Sequence, residues 1–275
     1  MANVKALYQR PLQSLDVLGE ELAFYLSAIA ATPRTIVRYK KEILRLLAEV
    51  ALGSGALAVI GGTVGVIAAM AFFTGTEVGI QGYAALDQIG TAAFSGFVSA
   101  YFNTREISPL IAGIALAATV GCGFTAQLGA MRISEEVDAL EVMAIPSMPF
   151  LVATRIIAGL IAIVPLYVVG LLSSYFATRL IVTQLFHQST GTYDHYFNQF
   201  LPPGDVLWSF GKVLVFAVVV ILIHCYHGYN ASGGPAGVGV AVGRAVRTSI
   251  VAINVIDLFL SMAIWGSSTT VRLAG

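Results

Sequence analysis

Four long stretches of this chain contain no Asp, Glu, Lys or Arg: 50–76, 107–131, 156–178 and 213–243. A fifth, 248–271, holds a single charge, Asp257. A helix needs about 20 mostly apolar residues to cross the hydrocarbon of a bilayer, so each stretch holds one span. The expected spans lie at about 50–76, 107–130, 156–178, 208–227 and 248–270. The fourth is cut short because 228–239 is polar and glycine-rich. A sixth stretch, 88–104, is short and carries Gln88, Thr91, Ser95 and Ser99, and is read as a re-entrant or partial helix. Only 11% of the 275 residues are charged, against about 25% in a soluble domain. The low charge argues against an ordinary cytosolic enzyme of this size, and the zero net charge argues against a nucleic-acid partner.

The positive-inside rule orients the chain. With five spans and a cytoplasmic N-terminus, the inner side receives Lys5, Arg10, Arg34, Arg38, Lys40, Lys41, Arg45, Arg132, Arg155, Arg244 and Arg247. Making 88–104 a full crossing would move the last four of these outside. The expected arrangement is therefore a multi-pass protein of the cytoplasmic membrane with its C-terminus outside.

The first forty residues lack a continuous apolar core and a cleavage pattern, so no signal peptide is expected. Residues 1–48 read instead as interfacial helices. Thr32-Pro33 is a helix-start signal, and Arg34, Arg38, Lys41 and Arg45 follow on one helical face. Ile36, Tyr39, Ile43, Leu46 and Leu47 lie largely on another. Such a helix rests on an anionic leaflet or docks on other protein; both readings are open. Within the first span, Gly61 and Gly65 form a small-xxx-small pair suited to tight helix packing. Gly53, Gly55 and Gly62 lie beside it. Cys122 and Cys225 fall within spans and read as packing residues.

No enzyme constellation is apparent. His187, His195, His224 and His227 lack the spacing of a zinc site, and a polar helix end accounts for the last two. The run Gly237-Val-Gly239-Val-Ala-Val-Gly243 matches a dinucleotide fingerprint poorly and follows no strand. Gly211-Lys212 is not a phosphate loop, since Val206 stands where a Gly is required and no Ser or Thr follows. Any ATP-driven work must come from a partner.

The most informative polar segment is 129–146, on the expected cytoplasmic side. Ser134 is placed to cap a short helix over about 134–144 whose first turn holds Glu135 and Glu136. Val137, Leu140 and Ala144 share one face, and Glu135, Asp138 and Glu141 turn elsewhere. Pro146 ends it. It is either a solvated connector or a docking helix for a soluble partner with a basic groove.

This run, together with Arg105-Glu106-Ile-Ser-Pro109, His224-Cys-Tyr-His-Gly-Tyr-Asn230 and the following Ala-Ser-Gly-Gly-Pro-Ala-Gly-Val-Gly239 with Arg244-Ala-Val-Arg247, resembles the MlaE/YrbE family of lipid-transport ABC permeases. The resemblance covers about 42–266. Details such as Tyr193-Asp-His-Tyr-Phe-Asn198 are most similar to B-type YrbE permeases of actinobacterial Mce (mammalian-cell-entry) systems. It implies an all-α membrane fold: N-terminal interfacial helices, five transmembrane helices over 49–275 and a cytoplasmic coupling helix. It implies two permease subunits, an A-type with a B-type, an ATPase dimer that binds ATP and Mg, and MCE-domain proteins outside. The implied activity is lipid or sterol import, with no cofactor in this chain. Val120 and Gln127 stand where many relatives carry Arg and Glu.

Three charges remain costly, since a charge at the bilayer centre costs about 2.5 kcal/mol or more. Glu106 and Lys212 open their spans near the outer side, as interfacial anchors or as the mouth through which a headgroup passes. Asp257 lies deeper, with Lys212 or a companion subunit as its partner. With Tyr83, these are the candidate cavity residues. Ser134, Glu135, Glu136, Val137, Asp138, Leu140 and Glu141 are the candidate ATPase-coupling residues. A stand-alone ion- or proton-coupled transporter using the three charges as a relay is the alternative, but no internal repeat supports it.

Overall fold

The computed structural model describes residues 2–52 and 62–266, and the side chains of 19–50 and 62–266. The described chain is helical, without strands. In order it forms α1 (Ala2–Arg38), α2 (Lys40–Leu52), α3 (Gly62–Gln88), α4 (Ala92–Ile133) and α5 (Glu136–Val142). Then follow α6 (Met148–Leu185), α7 (Thr190–Gln199), α8 (Pro203–Tyr229) and α9 (Gly234–Trp265). Five of these, α3, α4, α6, α8 and α9, are long and apolar enough to cross a membrane. The architecture is the expected all-α membrane fold. The short helices α5 and α7 mark the two ends of the bundle.

The centre is built from α4, α6 and α8, where Leu116, Leu128, Ile163, Tyr167, Phe216 and Ile221 are fully buried. α3 packs along α6 because it has no side chain at the crossing. A Cβ on Gly75 would run into the Ser174 backbone, and the Thr178 hydroxyl donates to the Gly75 carbonyl at 2.7 Å. This is the small-residue contact that lets membrane helices approach closely. It lies farther along α3 than the expected Gly61–Gly65 pair. Gly53, Gly55 and Gly61 lie outside the described residues.

Four expectations shift. The first span, read as 50–76, is a helix over Gly62–Gln88 that carries Glu77 and Asp87; charges near a helix end do not stop it. Of the stretch 88–104, read as a re-entrant or partial helix, residues 92–104 are continuous with the second span, while Gln88 ends α3. The polar groups of this part of the helix from Ser95 on are buried against other helices. Asn103 donates to Thr178 at 2.9 Å, Thr104 pairs with Tyr175 at 2.5 Å, and Ser108 pairs with Ser174 at 2.8 Å. Polar residues satisfied inside a bundle are compatible with a spanning helix. Thr32-Pro33 does not start a helix: α1 runs through it, and the Thr32 hydroxyl bonds back to Ala28 O at 3.0 Å. His224 is no polar helix end. It is buried against Gly121, with Nδ1 2.7 Å from the Thr125 hydroxyl.

The N-terminal helices lie against the bundle. Ile43, Leu46 and Val50 of α2 are buried, while Ile36, Val37 and Leu44 are exposed. One face is therefore docked on protein and another apolar surface is left open. At the opposite end α7 closes over the start of α4. A Cβ on Gly96 would meet the Tyr193 carbonyl and the Phe197 amide, and Gln188 bonds both Ser95 and Ala92 O.

Candidate functional site

The first site lies where α4, α8 and α9 meet at the α7 end. Residues Ser99–Ile107 of α4 are a π-helical tract, a wide turn that is rare and often found at functional positions. The tract presents both the Arg105 carbonyl and the Glu106 side chain to α8. Lys212 of α8, with its side chain fully buried, reaches into this gap. Its Nζ donates to Arg105 O at 2.7 Å and to Ser261 Oγ at 2.8 Å, and lies 3.3 Å from Glu106 Oε2 and 2.6 Å from Asp257 Oδ1. The Asp257 contact is an ion pair rather than an aligned hydrogen bond, since Oδ1 accepts none of good geometry. Ser261 donates to the other Glu106 oxygen at 2.8 Å.

A second ion pair lies beside the first. Arg105 and Asp205 are 2.6 Å apart, each largely buried. Trp265 Nε1 donates to Asp205 at 2.9 Å, and its ring lies 5.2 Å from the Arg105 guanidinium and 5.3 Å from Lys212 Nζ. Two cations thus face three carboxylates on three helices. Desolvated charges persist only when paired and hydrogen-bonded in this way. Glu106 is the most open member, with a third of its side chain accessible. On the α3 side of the same tract, α3 and α4 form an apolar groove of about 430 Å3, lined by Val78, Gly82, Leu86, Val98, Phe102 and Ile107.

The structure therefore brings Glu106, Lys212 and Asp257 together. Tyr83 is placed elsewhere, with its ring stacked on Phe186 at 4.2 Å. Sequence reading missed Arg105, Asp205, Ser261 and Trp265 as members. The signal was helical spacing: Asp205 and Lys212 are seven apart on α8, and Asp257, Ser261 and Trp265 recur every four on α9, so each set shares a face.

The second site is α5. It is bounded by two non-glycine residues in the left-handed region, Glu135 (φ 61°) and Ala144 (φ 58°). Ser134 does not cap it. Ser134 ends α4, and its hydroxyl lies 3.0 Å from Ala130 O and 2.9 Å from Glu136. The left-handed turn at Glu135 separates α4 from α5, so the Ser134 hydroxyl serves the preceding helix. Val137 is fully buried and Leu140 packs against the core. Glu135, Glu136, Asp138 and Glu141 lie on the exposed side with Val142 and Met143. Ser147 donates to Glu141 at 2.7 Å and shares a 2.8 Å hydrogen bond with the Tyr229 hydroxyl, linking α5 to α6 and α8. Arg132 ties Asp138 to the end of α4 at 2.6 Å.

Gln127, expected to be a neutral replacement, bridges two charges. Its amide nitrogen donates to Glu49 of α2, and its oxygen accepts from the buried Arg155 of α6 at 3.1 Å. The amide has one donor side and one acceptor side, so it fits between an anion and a cation. Among the described residues no cluster of His, Cys, Asp or Glu is placed to hold a metal.

A family profile described as Permease MlaE matches residues 53–263, which takes in four of the five long helices whole, α9 up to Ala263, and every member of the two sites but Trp265. The chain belongs to the MlaE permease family. A probable ABC transporter permease protein of Rickettsia bellii is 28% identical over 92% of this chain and 94% of its own length. The intermembrane phospholipid transport system permease protein MlaE of Haemophilus influenzae is 26% identical, covering 71% of this chain and 75% of its own. The chloroplast protein TRIGALACTOSYLDIACYLGLYCEROL 1 of Arabidopsis thaliana is 30% identical over 72% of this chain and 57% of its own. This MlaE-family permease is a multi-pass membrane protein of the ABC transporter class, with its charged cluster and α5 at opposite ends of one bundle.

Proposed function

We propose that the chain is the permease subunit of an ATP-driven lipid transporter of the Mla/Mce kind, and within it a B-type YrbE subunit of an Mce system. The observation that carries the reading is the part-open Glu106–Lys212–Asp257 cluster, with an apolar groove on the α3 side of the same π-helical tract. A lipid needs both: polar partners for its headgroup and an apolar wall for its chains. In this reading α5 faces the cytoplasm, the N-terminus is inside and α7 lies outside, in the cytoplasmic membrane. The phospholipid transport named for the Haemophilus relative supports the substrate class; sterols and other acyl lipids suit the same wall.

A partner ATPase dimer, which binds ATP and Mg, docks on the acidic side of α5. Its closure moves α5, and Val137 and the Glu141–Ser147–Tyr229 chain pass that movement to α6 and α8. The same α8 carries Lys212 at its other end, so the movement reaches the headgroup site as a switch between two arrangements. A second permease, of A-type, covers the exposed apolar face of α9, where Val251, Val255, Leu258, Phe259 and Met262 point outward. MCE-domain proteins receive or deliver the lipid at α7, and the direction is import.

The test is purification of the chain from its own membranes. An ATPase, a second permease and bound lipid should be recovered together by mass spectrometry. Recovery of the chain as an active transporter with no ATPase would overturn the reading.

A further inference from the structure

Apart from Tyr229, the segment 226–244 belongs to neither site, yet it builds a cavity. The turn from α8 to α9 passes through Gly233 (φ 86°) and Gly234 (φ 72°), both left-handed. A Cβ on Gly237 would run into the Ser232 carbonyl, so the chain doubles back onto the start of α9 only because that position is glycine. Against this turn lies α1. Between them is a cavity of about 490 Å3, lined by Glu21, Tyr226, His227, Asn230, Ser232 and Arg244 among others. Its size is within the range of about 300–1,000 Å3 that holds small ligands.

The lining is part polar, with the acid Glu21 on α1 and the bases His227 and Arg244 on α8 and α9. Glu21 comes from α1 and Arg244 from α9, and among the described residues neither makes an ion pair. One Glu21 oxygen accepts from the Tyr25 hydroxyl. The other oxygen and the exposed Arg244 guanidinium have no hydrogen-bonding or ion-pair partner among the described residues. Opposite charges on facing walls, not joined to each other, match a zwitterion whose two charges are separated by a short linker.

The surroundings fix the depth. Phe24, Tyr25, Tyr226 and Tyr229 form an aromatic group beside the cavity, with ring centroids 5.4–6.2 Å apart. Next to Glu21, the apolar side chains Leu22, Leu26 and Ile29 are exposed on α1. Aromatic residues concentrate at headgroup level, and an amphipathic helix with an exposed apolar stripe lies in the same plane. The cavity therefore opens where bilayer headgroups are, at the α5 end and far along the bundle from Lys212.

We propose that this cavity is a second lipid site, for a headgroup carrying a phosphate and a primary ammonium, of the phosphoethanolamine type. The phosphate pairs with Arg244, with Asn230 and Ser232 as hydrogen-bond partners, and the ammonium pairs with Glu21. The lipid is held from the leaflet at this end. The site does not depend on the transport reading.

The experiment uses the full chain in its native complex, freed of lipid in detergent and titrated with dioleoyl phosphatidylethanolamine, phosphatidylglycerol or phosphatidylcholine by native mass spectrometry. Phosphatidylethanolamine should be preferred. Glu21→Gln should lower its affinity about tenfold and leave phosphatidylglycerol unchanged, the loss expected for one charge-assisted bond. Arg244→Gln should weaken both by about tenfold, and Arg244→Lys should restore much of the binding. Thermal melting of each variant separates a lost site from a lost fold. Variants that bind as the native protein does, or a Glu21→Gln that weakens both lipids equally, would overturn the proposal. Competition by free phosphoethanolamine at the same concentrations as the lipid would also overturn it, by assigning the cavity to a soluble ligand. The triple variant Lys212→Met, Glu106→Gln, Asp257→Asn, which removes the other cluster's charges together, should keep this binding even where transport is lost, so failure of one reading is distinguishable from failure of the other.

Discussion

At the α7 end, Arg105, Glu106, Asp205, Lys212 and Asp257 are packed against one another between three helices. At the α5 end, Glu135, Glu136, Asp138 and Glu141 lie on the exposed side of a single short helix. The first group, apart from the part-open Glu106, has given up most of its water and is held by its own ion pairs. The second keeps most of its water, and its contacts beyond α5 are Arg132, Ser134 and Ser147. Charges of the first kind are expensive to disturb, because removing one partner strands another in a low dielectric. Charges of the second kind cost the fold little and are available to something else.

That contrast ranks the experiments. Lys212→Met should have the largest effect, destabilising by about 3–5 kcal/mol, because Glu106 and Asp257 lose their common cation. Thermal unfolding in detergent checks this. The sharper form adds Glu106→Gln and Asp257→Asn: the triple variant should regain most of the stability but no transport in vesicles. If the triple variant transports, the cluster is structural only. Asp205→Asn should follow, costing about 1–3 kcal/mol by leaving Arg105 partly buried without its carboxylate.

Ala144→Gly tests the other end. It relieves a left-handed alanine, so stability should rise by about 0.4–1 kcal/mol in the same melting assay. The paired reversal Glu135→Lys with Glu136→Lys should change stability by less than about 0.5 kcal/mol, yet abolish co-purification of the ATPase. Retained co-purification would erase the contrast. The smallest effect is at Asp194 of α7, whose carboxyl the hydrogen-bonded Arg179 guanidinium holds below its usual range. Its contribution is present above the ordinary Asp range near pH 4 and is lost as pH falls through the lower folded value. Asp194→Asn should therefore flatten the acid side of the melting profile slightly. The effect should shrink in salt, because both partners are about half exposed.

Much of this was legible from residue order alone. Charge-free stretches long enough to span a bilayer determined an all-helical membrane fold with five crossings. The acidic run before Pro146 determined a short amphipathic helix, and Glu106, Lys212 and Asp257 were marked because charges in apolar segments are costly. These are local properties, fixed by helix length, period and desolvation. The tertiary structure decided what local rules could not. It joined 92–104 to the second span as one continuous helix, with Asn103 and Thr104 finding polar partners on α6. It joined Arg105 and Asp205 to the charged cluster and left Tyr83 out, because membership depends on which helix faces meet. It turned Ser134 from a cap into the end of α4, because a left-handed turn at Glu135 intervenes. It opened a polar cavity between α1 and the α8–α9 turn, where Glu21 and Arg244, more than two hundred residues apart in sequence, share one lining. Charge spacing along the chain determined where charges were expensive, and only the packing of helix against helix decided which of them were paired.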